Sequence, residues 1–290
     1  MRIVLGIDVG GSTTKIVGIR EKTNEPSPCL PFGVLQVRAA DQVTSMYGAM
    51  GNFLSRHKLN PADVSVIFLT GVGASFIDEQ IYGIETIKVN EFSSIGRGAL
   101  HLTGLDEALI LSMGTGTALV KATGDEVVHL GGSGVGGGTI IGLASQMLGK
   151  SNVDAILALA EKGDLGNVDL SLSDILYTES DTFSNWLAGQ DDNEEESLPF
   201  DLTAANFGKV KSTVSDSDIA LGIINMVFET AGMLAVFALK NETIKDVVIT
   251  GSLAVFPQAE MVFSKFRRMT GLNFVIPQNA VFATALGATL

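Results

Sequence analysis

Ile3-Val4-Leu5-Gly6-Ile7-Asp8-Val9-Gly10-Gly11-Ser12-Thr13-Thr14-Lys15-Ile16-Val17 runs apolar, meets a carboxylate, turns through small residues and runs apolar again to about Ile19. Two short apolar runs joined by glycines and hydroxyl residues spell a β-hairpin. Its turn residues are too small to cover their own backbone. Gly10 and Gly11 can take positive φ and leave their N–H groups pointing outward, a concave donor set suited to phosphate. Ser12, Thr13, Thr14 and Lys15 add donors. Asp8 closes the first strand, where a carboxylate beside phosphates suits a hydrated Mg²⁺. The alternative is a plain tight hairpin in which Asp8 only hydrogen-bonds its own turn.

A second copy of the pattern follows about a hundred residues later, from Ala108 through Met113-Gly114-Thr115-Gly116-Thr117 to Val120. Two such hairpins suggest a duplicated fold holding a nucleotide between its halves. A third fragment, Asp246-Val247-Val248-Ile249-Thr250-Gly251-Ser252-Leu253, reads as a buried strand running into a small-residue turn.

This order resembles the acetate and sugar kinase/Hsp70/actin superfamily: first phosphate loop, second phosphate loop, adenosine loop. Within it the chain is similar to type II (eukaryotic-like, fumble) pantothenate kinases over nearly its whole length. The similarity rests also on Val89-Asn90-Glu91-Phe92, Gly131–Thr139, Ala160–Asp164 with Asn167–Asp169, and Asp201-Leu202-Thr203-Ala204-Ala205-Asn206-Phe207-Gly208. The resemblance implies an α/β fold of duplicated ribonuclease-H-like (actin-like ATPase) domains with the nucleotide in the cleft between them. It implies ATP and Mg²⁺ as cofactors and transfer of a phosphoryl group to the primary hydroxyl of pantothenate, the first step of coenzyme A biosynthesis. ATP would be held by Gly10, Gly11, Ser12, Thr13, Lys15, Gly114, Thr115 and Gly116, by Gly136, Gly137 and Gly138, and by Gly251 and Ser252 against the adenosine. Asp8 would meet Mg²⁺ through water, and Thr115 and His129 would meet the acceptor. A homodimer, with inhibition by coenzyme A or its thioesters, is also implied.

Phosphoryl transfer to an alcohol needs a clamp on the γ-phosphate, a metal and a base for the hydroxyl proton. Glu91 is the candidate base. It lies where the apolar strand Glu85–Val89 gives way to a helix, at the end of a parallel strand where such sites collect, and the family places its base at the same spot. The competing reading is that Glu91 caps its helix, since a carboxylate is favourable at a helix N-terminus. Gly131–Thr139 holds six glycines and feeds a helix, so its N–H groups and the helix dipole can face an anion. Ala144–Ser151 nearly spells a Walker A loop, but no strand precedes it; it continues a helix, with Gly149 as the stop.

Composition narrows the field. The chain has 290 residues, 46% hydrophobic and 18% charged, enough for two α/β domains; the first is expected over 1–104 and the second over 105–290, with the boundary near residues 103–106. A net charge of −13 argues against nucleic acid as a partner and leaves an anionic substrate to local donors. A single cysteine, Cys29, excludes a disulfide framework or a cysteine-rich metal site within one chain. No secretory signal is visible, and the apolar stretch Ile219–Leu239 is interrupted by Asn225 and Glu229, so a buried or dimer-facing helix, no membrane and a cytoplasmic location are expected.

Along the chain, strands are expected at 3–9, 14–20, 33–37, 64–70 and 85–89, with helices near 42–56 and 92–102. The second half restarts at Ala108, and its meander reaches Leu130. Helices follow from Gly138 and at 152–161 and 217–241, then strand 246–250, helix 257–269, strand 273–276 and helix 280–289. Asp201 is expected to cap a short helical turn holding Ala204 and Ala205, Phe200 and Phe207 to sit in the core, and the charge run Gln190–Ser197 to be a solvated loop.

Several residues depart from the family pattern. His129 stands where the family carries an Arg that helps bind pantothenate, and an imidazole lacks the guanidinium's permanent bidentate charge. Ser93, Ser112, Ala280 and Thr284 also differ. The nucleotide half of the resemblance is largely intact; the acceptor half is altered. The rival readings are a kinase of the same fold acting on another alcohol, pantetheine or an amino sugar such as N-acetylglucosamine, and a non-catalytic ATP-binding activator.

Overall fold

The computed structural model describes residues 2–21, 31–39, 41–77, 80–124, 126–177, 202–211 and 213–290. Cys29, Phe200, Asp201 and the run Gln190–Ser197 lie outside them. Strands β1 (Arg2–Val9), β2 (Thr13–Glu21) and β3 (Pro31–Arg38) form an antiparallel meander. Helix α1 (Gln42–His57) leads to β4 (Val64–Thr70), which lies parallel to β1, and β5 (Thr86–Lys88) lies parallel to β4. The sheet order is β3-β2-β1-β4-β5. After helix α2 (Glu91–Thr103) the plan repeats. Strands β6 (Glu107–Met113), β7 (Thr117–Thr123) and β8 (Glu126–Ser133) make a second meander.

Helices α3 (Gly137–Leu148), α4 (Val153–Ala160) and α5 (Leu172–Tyr177) come next, with a two-stranded ribbon of β9 (Leu170–Ser171) and β10 (Thr203–Ala205). Helix α6 (Asp216–Leu239) precedes β11 (Asp246–Thr250), parallel to β6. Helix α7 (Pro257–Thr270), strand β12 (Asn273–Val275) and helix α8 (Ala283–Gly287) complete the chain. The second sheet runs β12-β11-β6-β7-β8, the first sheet's plan again. These two mixed sheets are the duplicated ribonuclease-H-like architecture.

Compactness cuts the chain differently. One unit holds Met1–Gly137, Leu234–Val255 and Leu272–Leu290, and therefore both five-stranded sheets; the other holds Gly138–Met233 and Phe256–Gly271. In the first unit, α1 packs Met46, Met50 and Phe53 on Leu5, Ile7, Ile67 and Leu69 of the first sheet. The helices between the sheets are exchanged. Helix α2 lays Ile95, Ala99 and Leu100 on Ala108, Ile110, Val120 and Ala122 of the second sheet. Helix α8, which follows the second sheet in sequence, lays Ala285 and Leu286 on Val17 and Ile19 of the first. The two helices meet backbone to backbone: a methyl at Gly98 would lie 1.9 Å from the Ala283 carbonyl oxygen, and one at Gly287 would lie 1.9 Å from that of Ser94.

In the second unit, Phe228 of α6 packs edge-on against Phe263 of α7, ring centroids 5.7 Å apart. The polar residues that interrupt α6 are engaged internally. Asn225 donates to Asp169 Oδ2 at 2.8 Å, and Glu229 accepts from Thr203 Oγ1 at 2.7 Å and Asn206 Nδ2 at 2.9 Å. By length and composition α6 could cross a membrane, but it is mostly buried within the protein.

Three expectations change. Ala204 and Ala205 lie on β10, not in a helical turn, because Thr203 and Ala205 pair with Ser171 and Leu170. Phe207 is half-buried at φ 60°, its N–H held by Asp169 Oδ1 at 2.9 Å, so the segment is pinned by hydrogen bonds more than by its aromatic ring. The expected helix 280–289 is a 3₁₀ turn (Ala280–Phe282) entered from Asn279 at φ 62°, and the short α8 follows a break at Phe282, at φ −100° and ψ 4°. The near-Walker segment behaves as read: α3 ends at Leu148 and Gly149 takes φ 64°.

Candidate active site

Within the first unit, the C-terminal ends of β1 and β4 bring a carboxylate, an ammonium and a glycine together. Asp8 pairs in register with Lys15 across the hairpin and with Thr70 across the parallel ladder. Asp8 and Lys15 are only 5% and 7% exposed, and Lys15 Nζ lies 3.0 Å from Asp8 Oδ2. Lys15 was expected among the phosphate donors; its ammonium is engaged by Asp8. Gly71 follows at φ 90°, with Asp8 Oδ1 so close that a methyl there would sit 2.6 Å from it.

Glu91 opens α2 from the neighbouring strand end. The helix cap is Asn90, whose side chain accepts from the Ser93 N–H at 3.0 Å, and Glu91 is the first residue inside it. The cap therefore does not depend on Glu91. Burial pushes the Glu91 carboxyl above the usual carboxylate range, the Asp8 charge pushes it further, and Lys15 opposes both. Such an environment marks a group that gains by accepting a proton.

The two small-residue turns meet. Ser12 Oγ and Thr115 Oγ1 are 2.6 Å apart, joining the hairpin of one sheet to that of the other. Gly10 and Gly11 are outside the left-handed region that glycine permits. The turn closes by Gly10 N–H donating to the Thr13 carbonyl at 3.0 Å, so these glycines supply room more than a special dihedral. In the second turn Gly114 N–H donates to Gly116 O at 2.8 Å. The glycine-rich loop lies on that turn: β8 extends through Gly131 and Gly132 to Ser133, and Gly137 N–H donates to Gly114 O at 2.8 Å. That amide, at the start of α3, is thus spent on the second turn; Gly138, one residue on, begins the other compact unit. Gly136 is required by contact, since a methyl would lie 2.7 Å from the Thr115 carbonyl oxygen. Gly251, also at φ 90°, abuts Met113, and Leu253, just past Ser252, reaches within 3.4 Å of where a Gly137 methyl would stand. One unit therefore gathers Asp8, Lys15, Glu91, both turns, Gly136, Gly137 and the Gly251–Ser252 bend.

His129 is exposed on β8, and its ring stacks on Phe92 with centroids 3.8 Å apart and planes 9° apart. One helical turn along, Gly96 admits Val127, whose Cγ2 would be 2.8 Å from a methyl there. These two contacts lock α2 onto β8 and place His129 beside the residue that follows Glu91.

The donor set fits a hydrated Mg²⁺. Asp8 is one carboxylate with one oxygen held by Lys15, and the buried Oγ1 of Thr70, its register partner on β4, has no protein partner. Among the described residues no three acidic, histidine or cysteine side chains cluster. A single carboxylate suits an ion that keeps water and phosphate as its other ligands.

Two residues escaped the sequence reading. Phe92 carries no chemistry of its own. Gly71 is signalled by a repeat: Leu69-Thr70-Gly71 and Ile249-Thr250-Gly251 each end an apolar strand in the same way.

A family model described as Fumble matches residues 107–263, more than half of the chain. A type II pantothenate kinase of Staphylococcus haemolyticus (strain JCSC1435) is 29% identical over 293 residues, covering 98% of each chain. Among solved structures, component A of the (R)-2-hydroxyglutaryl-CoA dehydratase of Acidaminococcus fermentans superposes with a TM-score of 0.63 at 18% identity, covering 99% of this chain and 96% of that one. A ROK family glucokinase from Streptomyces griseus, solved with glucose and AMPPNP, gives 0.57 at 13% identity, covering 99% and 97%. These structural likenesses establish the fold.

Proposed function

The chain belongs to the Fumble family, and from that premise we propose that it phosphorylates pantothenate at its primary hydroxyl with ATP, giving 4′-phosphopantothenate and ADP at the entry to coenzyme A biosynthesis. The observation that carries this reading is Glu91, its proton affinity raised by burial and by Asp8, in the same unit as the touching turns of Ser12 and Thr115. The relative from Staphylococcus haemolyticus supports the acceptor.

In this reading Glu91 takes the hydroxyl proton as the alcohol attacks the γ-phosphorus, and the leaving ADP carries off the bridging oxygen. The turns at Gly10–Thr13 and Gly114–Gly116 hold the phosphates, Gly136–Gly138 extend the grip, and Gly251 and Ser252 face the adenosine. Asp8 holds Mg²⁺ through water, and the ion when bound neutralises phosphate charge. Residues 1–104 and 105–290 act as the two domains enclosing the nucleotide. A homodimer, a cytoplasmic location and inhibition by coenzyme A or its thioesters belong to the same proposal.

The Phe92–His129 stack favours a second acceptor. With one face covered by Phe92, the imidazole is left its edge for a substrate, and two ring nitrogens stand in place of a guanidinium fork. That suits the amide-extended, uncharged tail of pantetheine. ADP release with MgATP and a panel of pantothenate, pantetheine, N-acetylglucosamine and glucose tests both readings. Turnover of pantothenate or pantetheine well above the sugars is expected; turnover of neither refutes the proposal.

A further inference from the structure

Gly71 sits where the halves of the duplicated fold repeat each other and then differ. Thr70 pairs with Asp8, and Thr250 pairs with Ser112, at matching places in β4 against β1 and β11 against β6. The next residue in each case is a glycine at φ 90°. A methyl at Gly251 would meet the backbone of Met113, 2.4 Å from its carbonyl oxygen. A methyl at Gly71 would meet the corresponding Val9 carbonyl oxygen at 2.6 Å and, in addition, Asp8 Oδ1 at 2.6 Å. The backbone demand is common to both halves; the contact with a carboxylate belongs to the first alone.

Asp8 is thus bounded on two sides. Lys15 holds Oδ2 at 3.0 Å, and Oδ1 lies over the bare Cα of Gly71. A carbon at 2.6 Å from oxygen is well inside contact, so a side chain at position 71 would press on the Val9 backbone and would also push the more movable Asp8 carboxylate off its rotamer and away from Lys15. We propose that Gly71 is a positioning residue for Asp8: its missing side chain fixes the carboxylate so that Lys15 neutralises Oδ2 and Oδ1 stays available to the hydration shell of a nucleotide-bound divalent cation. The inference rests on the kinase reading for the metal–nucleotide ligand and not for the acceptor.

The test uses Mn²⁺ as the probe, its binding followed by electron paramagnetic resonance in the presence of AMPPNP, with nucleotide binding in EDTA measured separately. Gly71→Ala is expected to weaken Mn²⁺ binding about tenfold or more, as loss of an orienting contact does, while metal-free nucleotide binding changes less than about twofold. Adding Gly71→Ala to Asp8→Ala should weaken Mn²⁺ binding no further, because the effect runs through the carboxylate. Gly251→Ala should alter nucleotide binding equally with and without the ion. Equal losses with and without metal in Gly71→Ala, or a further loss in the double variant, would overturn the proposal. Should Gly71→Ala fail to fold, melting decides: since the Val9 clash remains in the double variant, a smaller Tm loss from Gly71→Ala in the Asp8→Ala chain than in the parent supports conflict with the carboxylate, and an equal loss refutes it. Wild-type protein that binds no Mn²⁺–AMPPNP would take the kinase reading down as well, whereas an inert pantothenate assay would leave this result standing.

Discussion

Glu91 turns its surroundings into a measurable pH dependence. A base works only when ionised, and desolvation together with Asp8 raises its pKa, so the acid limb of kcat/KM should lie above the ordinary carboxylate range. Asp8→Asn should move that limb down, and Lys15→Met should move it up, in rate profiles taken from about pH 4 to 9. Glu91→Gln should lower kcat roughly 10²–10⁴-fold with nucleotide affinity nearly unchanged; full turnover would remove Glu91 from the chemistry. Stability carries the same sign. The folded state binds this proton more tightly than the unfolded chain, so the group's stabilising contribution is full below the unfolded pKa and is lost as pH rises through the folded one. Calorimetry should therefore find Glu91→Gln with a higher Tm than the parent at pH 7, the difference shrinking towards pH 4.

At the scale of elements, contact between α2 and α8 predicts a steep response. Gly98→Val would drive a side chain into the Ala283 carbonyl, a backbone atom unable to step aside, and urea unfolding should show a loss of at least about 3 kcal/mol. Asn225→Ala would leave buried Asp169 Oδ2 without its donor and should cost about 1–3 kcal/mol. Most strands and helices could be read from sequence because each announces itself locally: the run Ile3–Val9 is apolar, Asn90 precedes a helical pattern, and Gly149 stops one. What stayed hidden depends on distant partners. Gly71 is required by Val9 and Asp8, far from it in sequence, and β10 exists because Leu170 and Ser171 are there to pair with it. Gly10 and Gly11 looked like dihedral specialists because turn chemistry favours that reading, yet the turn closes without it. The candidate site was legible as loops and a carboxylate; the capture of Lys15 by Asp8 and the stacking of His129 on Phe92 were not, since pairing of side chains leaves no periodicity.

For the whole molecule, a net charge of −13 sets a repulsive field against any phosphate or carboxylate ligand. Raising ionic strength from about 10 mM to about 150 mM should screen it and lower the KM for MgATP; a KM that rises instead would point to a basic funnel that this reading lacks. The exchange of α2 and α8 between the sheets governs how the first unit can move. Each sheet wears the other half's helix, so prising the sheets apart would strip apolar cover from both at once. Where the two helices cross, Gly98 and Gly287 leave no room for a spacer between one backbone and the other. Any shift of one sheet against the other must therefore either carry both helices along or open that bare contact. A bulky residue placed there would wedge the two helices apart and, because α2 begins at Glu91, would carry the candidate base with it.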